Sequence, residues 1–219
     1  MERNPIADNA SASPAAAKPV VNVAVPAQTV SAEPVATAPA AATVRAVPTS
    51  SAAAVDRVNG YFNTIEQLTA AFVQTSAAGQ AMSGTLALRR PGQLRFAYAA
   101  PSTLEVVSDG RSVAVRDKKL GTNDVYPVGQ TPLKFLLKDD FDLGRDTKLQ
   151  DVQIARDGLV TVRFEDSTTF GGTSKVSLRF DARAGRLVGW TVLDPQGFET
   201  TVTLSDVNVV QRPQARAVN

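Results

Sequence analysis

No cysteine and no histidine occur among the 219 residues. Without cysteine there is no thiolate nucleophile, no thiolate zinc site and no lipid-modified N-terminal cysteine. Without histidine the usual neutral-pH general base and the commonest metal ligand are gone. Carboxylate pairs or a Ser–Lys dyad are the catalytic chemistry left, and no spacing of either stands out, so the chain reads as a binding protein and not an enzyme. Aromatic residues make up 6%, with one tryptophan, which gives little sign of a sugar- or base-stacking site. Lys+Arg total 23 against 21 Asp+Glu, an excess too small to imply nucleic acid. No stretch is long enough to span a membrane. Met1-Glu2-Arg3-Asn4-Pro5 also lacks the basic and apolar regions of a secretory signal, so a secreted reading requires a signal removed or lying upstream of this start.

What is present divides unevenly along the chain. Residues 1 to 53 consist largely of Ala, Pro, Val, Ser and Thr and contain no Leu, Gly or aromatic residue. Such a segment cannot bury enough apolar area to offset its ordering entropy, and it reads as a disordered extension, either a spacer or a low-complexity leader. From Ala54 the pattern changes. Val58, Tyr61, Phe62, Ile65, Leu68 and Phe72 form one apolar stripe at helical spacing, which predicts a helix of roughly five turns.

Gly84 to Tyr98 then alternates at period two: Leu86 and Leu88 against Thr85, Ala87 and Arg89, and Leu94, Phe96 and Tyr98 against Gln93, Arg95 and Ala97. Pro91-Gly92 turns the chain between these runs, predicting an antiparallel hairpin with Arg90 at its tip. Ser102 to Ser108 is a third strand, Asp109-Gly110 a turn into Ser112 to Arg116, and Lys119 to Val125 a further strand. Thr131 to Lys138 reads as a short helix with Thr131 as N-cap, and its Leu133, Phe135, Leu136 and Leu137 cover more than one face. Asp139, Asp140, Asp142 and Asp146 fail as a calcium loop, since the glycine falls at the wrong offset and no Glu closes the site, so they read as a solvated loop. The remainder is a meander, Leu149 to Val210, with turns at Asp157-Gly158, Ala184-Gly185 and Gln196-Gly197. The expected class is mainly β (α+β): one large antiparallel sheet, curled or closed around apolar helices. Periodicity leaves open whether the enclosed space is a filled core or a cavity, because the same leucines line both.

The hairpin resembles the periplasmic lipoprotein carriers of the LolA family: a strand starting at Gly84, then Arg90-Pro91, then Leu94-Arg95-Phe96. Val107-Ser108-Asp109-Gly110, Thr131-Pro132-Leu133-Lys134-Phe135-Leu136-Leu137 and Asp194-Pro195-Gln196-Gly197 follow in the order and spacing of that family. The resemblance places a lipid-binding domain at 54–212, between the extension at 1–53 and a tail at 213–219. Longer family members add a final loop and strand after the position of Val210, where this chain has Gln211 to Asn219.

The resemblance implies an incomplete antiparallel β-barrel with helical lids over an apolar cavity. It implies a soluble, monomeric periplasmic carrier, without metal or other cofactor, that takes acylated lipoproteins from an inner-membrane ABC-type releasing complex and hands them to an outer-membrane acceptor. By the same resemblance Arg90 bonds to the lids and holds the empty cavity shut. Ile65, Leu68 and Phe72 of the first helix and Leu133, Leu136 and Leu137 of the second are the lid candidates. Leu86, Leu88, Leu94, Phe96, Tyr98 and Trp190 are the barrel-lining candidates, with inward direction taken from alternation. A related-fold lipid-binding regulator, a glycolipid carrier and a solid-core interaction domain are the competing readings.

Overall fold

The computed structural model describes residues 45–213; residues 1–44 and 214–219, and with them most of the expected extension and tail, lie outside the described residues. Within the described part the backbone already has a partner at Arg45, whose N–H donates to Arg183 O at 3.0 Å. Helix α1, Ser51–Thr64, starts three residues before the expected Ala54, because Ser50 caps it by accepting from Ala53 N at 3.2 Å. Ala54, Val58, Tyr61 and Phe62 form its buried face.

The five-turn helix does not exist. Its second half is strand β1, Ile65–Ser76, so Ile65, Leu68 and Phe72 are sheet residues and not helical lid residues. The chain passes from helix to strand without glycine or proline. Thr64 Oγ1 turns back onto the carbonyls of Gly60 and Tyr61 at 2.9 and 3.1 Å, and Arg212 N donates to Thr64 O at 2.8 Å. Carbonyls of the last turn are thus satisfied by the Thr64 hydroxyl and by the Arg212 N–H.

Strands β2 (Ala81–Arg89), β3 (Gln93–Tyr98), β4 (Leu104–Asp109), β5 (Ser112–Asp117) and β6 (Thr122–Pro127) follow as a meander. Strands β7 (Lys148–Ile154), β8 (Leu159–Asp166), β9 (Ser174–Asp181), β10 (Arg186–Leu193) and β11 (Glu199–Gln211) form a second one. Antiparallel pairing of β1 with β11 joins them into one sheet of order β6-β5-β4-β3-β2-β1-β11-β10-β9-β8-β7. This sheet is not closed into a barrel: β6 and β7 are its two edges. The segment between those edges is not a hairpin but a 3-10 turn at Val128–Gln130 and two single-turn helices, α2 (Lys134–Leu137) and α3 (Leu143–Asp146).

Two local readings need correction. Thr131 is not the cap of α2, because its hydroxyl donates backward to Val128 O at 2.9 Å and the helix starts at Lys134, with Leu133 in the cap position. The Asp139–Asp146 stretch, expected as a solvated loop, keeps Asp139 and Asp140 exposed but includes α3 and is fastened to α1. Asn63 pairs with both backbone groups of Phe141, each at 3.0 Å, while one turn earlier Asn59 accepts from Leu143 N and donates to Asp142, also at 3.0 Å. Spaced four residues apart, these two amides lie on one face of α1 and fasten the segment against it.

Candidate functional site

The β2–β3 hairpin forms as its alternation requires, with Leu86 opposite Phe96 and Leu88 opposite Leu94, all four buried. Gly84 begins it for a steric reason. A Cβ there would lie 2.2 Å from Ala97 O and 2.8 Å from the Phe72 ring. The missing side chain lets Phe72 stand edge-on to both Phe96 and Tyr98, ring centroids 5.1 Å apart in each case.

Arg90, at the turn of this hairpin, is buried, 4% exposed. Its backbone N–H donates to Glu66 O at 2.9 Å. Its guanidinium donates to Phe62 O, in the last turn of α1, and to Asp139 O, just past α2, at 3.4 Å. Two residues on, Gly92 N donates to Leu137 O at 2.9 Å. One turn of the sheet therefore satisfies orphan carbonyls at the C-terminal ends of two helices, where the helix dipole also favours positive charge. Burial, then repulsion from Arg212, pushes the Arg90 guanidinium down to about 10, opposed by Asp139 and Asp140; it remains a cation at neutral pH. Arg212 forms an ion pair with Asp139, so the end of β11 joins the same cluster.

A cavity of about 580 Å³ lies between β3–β5, β10–β11 and the segment leading into α2. Its apolar wall is built by Phe96, Val106, Val113, Val115, Trp190 and Val202, with Leu133 and Pro132 on the helical side. Tyr126 and Phe170 flank it, rings 5.9 Å apart; Phe170 is 65% exposed, on the loop between β8 and β9. Tyr98 donates its hydroxyl to Gln74 Oε1 at 2.5 Å, and burial pushes its pKa up to about 12 despite that bond. A second groove, of about 820 Å³, runs past Gly92, Gly110, Lys138 and Asp139, with Pro91, Val128 and Leu137 also in its lining.

Of the twelve apolar residues expected around a cavity, Phe96, Tyr98, Leu133 and Trp190 line this one. Ile65, Leu68, Phe72, Leu86, Leu88, Leu94, Leu136 and Leu137 are buried in the core but form no part of its wall. The wall residues that sequence reasoning missed are mostly valines of β4, β5, β10 and β11. Their alternation was visible in Leu104–Ser108 and Ser112–Arg116, but valines on a short strand do not say which face looks inward. A register shift between Leu187 and Gly189 puts Leu187 among the buried residues together with Trp190 and Val192.

Fold and site together define a class: an open antiparallel half-barrel with an apolar cavity and a buried arginine that ties two helix ends to the sheet. Within that class the chain belongs to the family described as outer membrane lipoprotein carrier protein LolA, which matches residues 63–217. It is 29% identical over 180 residues to an outer-membrane lipoprotein carrier protein of Bordetella pertussis, covering 77% of this chain and 82% of the relative. A protein of the same name from Dechloromonas aromatica is 30% identical over 164 residues, covering 71% and 77%. Another, from Methylibium petroleiphilum, is 35% identical over a shorter 116 residues, covering 47% of this chain and 57% of that relative.

Proposed function

We propose that this protein carries acylated lipoproteins through the periplasm, receiving them from an inner-membrane ABC-type releasing complex and delivering them to an outer-membrane acceptor. The observation that carries this reading is the apolar cavity in a sheet whose barrel is left open at β6 and β7, with Arg90 bonded to the ends of two helices. Family membership supplies the cargo class. A carrier is required on energetic grounds. At about 0.8 kcal/mol per buried CH₂, three acyl chains of roughly fifteen methylenes would cost on the order of 36 kcal/mol to expose to water.

Release is the harder half of the task, and Arg90 addresses it. The guanidinium bonds to Phe62 O and Asp139 O are available when the helices sit against the sheet. Cargo that lifts the helices breaks them, so their re-formation favours letting the cargo go. Hydrogen bonds to a charged group contribute about 1.5–3 kcal/mol each. Arg90→Leu should therefore retain binding of an acylated lipopeptide and transfer it to acceptor at least about tenfold more slowly. Stopped-flow transfer of a fluorescent lipopeptide measures this; transfer at the unaltered rate would remove Arg90 from the release step.

A further inference from the structure

The polar part of the cavity carries information that its apolar wall does not. No lysine or arginine among the described residues lines it, and Asp194 is the one charged side chain that does. The other polar groups are uncharged: the amides of Gln74, Gln130 and Gln196 and the hydroxyl of Thr200, among others. Lys134 follows Leu133 directly in sequence, yet its ammonium is turned away into an ion pair with Asp166 at 2.7 Å.

The geometry points to a charge filter: we infer that the cavity takes acyl chains whose polar end is uncharged, an N-acyl amide or an ester, and that Asp194 excludes chains ending in a carboxylate or phosphate. This rests on the carrier reading and narrows it. Primary amides offer both donors and acceptors, which match the carbonyls and N–H of an acylated, uncharged residue. An anion drawn in by its acyl chain meets no cation and one fixed negative charge, so it is desolvated without compensation. The carboxylate of Asp194 is held in place: its Oδ1 accepts from Gln196 N at 2.9 Å and Phe198 N at 2.8 Å in the β10–β11 turn. Asparagine keeps that Oδ1 acceptor and removes the charge. Asp194→Asn is therefore a conservative probe of the charge alone.

The test uses the full chain at pH 7 and two probes of one acyl chain length that differ only at the polar end, an N-methyl amide and the free fatty-acid anion. The amide should bind about tenfold more tightly, a factor set by Coulomb repulsion at short range in a half-desolvated site. That ratio should narrow as salt rises, since screening weakens the repulsion, and should fall towards one in Asp194→Asn. Equal affinities in the unaltered protein would overturn the filter, as would a ratio that neither salt nor Asp194→Asn changes. Should neither probe bind at any concentration below its own aggregation limit, the carrier reading itself fails, and the filter with it. The salt series needs no variant, so it decides the matter even if Asp194→Asn does not fold.

Discussion

The two halves of this sheet are made of the same residue types and meet different neighbours. On β8 and β9, Val160, Val162, Leu178 and Phe180 have no exposed surface at all, and Phe164 and Val176 almost none. Rings of α1 and α2 stand over them: Tyr61 lies edge-on to Phe180 at 5.1 Å, and Phe135 meets Phe164 at 6.3 Å and Phe62 at 5.9 Å. On β4 and β5, Val106, Val113 and Val115 face a cavity instead. Only the Thr131–Leu133 approach to α2 and the Phe170 loop stand over them. An alternating strand therefore builds a core or a binding wall according to what lies on top of it. Phe135 and Trp190, 5.7 Å apart, mark the boundary between the two.

The sharpest way to break this contrast is on the filled side. Phe62→Ala removes a fully buried ring that three other aromatics touch, and should destabilise by about 3–5 kcal/mol in urea unfolding. A matched pair comes next. Val162→Phe on β8 has no space to enter and should cost about 1–3 kcal/mol, whereas Val115→Phe on β5 points its extra ring into the cavity and should cost less than about 1 kcal/mol. The second variant should nonetheless lose acyl binding. If both were equally destabilising, the cavity would not be a true space in solution.

Alkaline titration probes both sides at once. Tyr61 on the filled side and Tyr98 on the cavity side are both pushed up to about 12 by burial. The unfolded chain loses these protons near pH 10 while the folded chain keeps them, so the unfolded state binds fewer protons and stability falls as pH rises from about 10 to 12. Each tyrosine contributes on the order of 2 kcal/mol to that loss. Tyr98→Phe should flatten the slope of the urea midpoint against pH; an unchanged slope would place the Tyr98 hydroxyl in water.

Most strands could be read from the sequence because alternation and turn chemistry coincide, as at Asp109-Gly110 and Ala184-Gly185. The boundary between α1 and β1 could not. Leu68, Ala70 and Phe72 alternate inward, but alanine is too small to register as part of an apolar pattern. The register shift between Ile65 and Gln67 spaces Ile65 three residues from Leu68. Positions 58, 62, 65, 68 and 72 thus imitate a helix, and the β-branched Thr64, Ile65, Thr69, Val73 and Thr75 were the countersignal. Arg90 is similar. Its place at the hairpin tip was legible, but its burial was not, because the carbonyls it satisfies belong to Phe62 and Asp139, residues 28 and 49 positions away.

Trp190, the single tryptophan of the chain and 2% exposed, stands in the cavity wall and reports on occupancy without any label on the protein. A triacylated lipopeptide amide with bromine on its acyl chains should quench Trp190 emission saturably, and Val115→Phe should abolish that quenching. Emission that stays constant at saturating lipopeptide would mean that no acyl chain reaches the cavity, and would contradict the account.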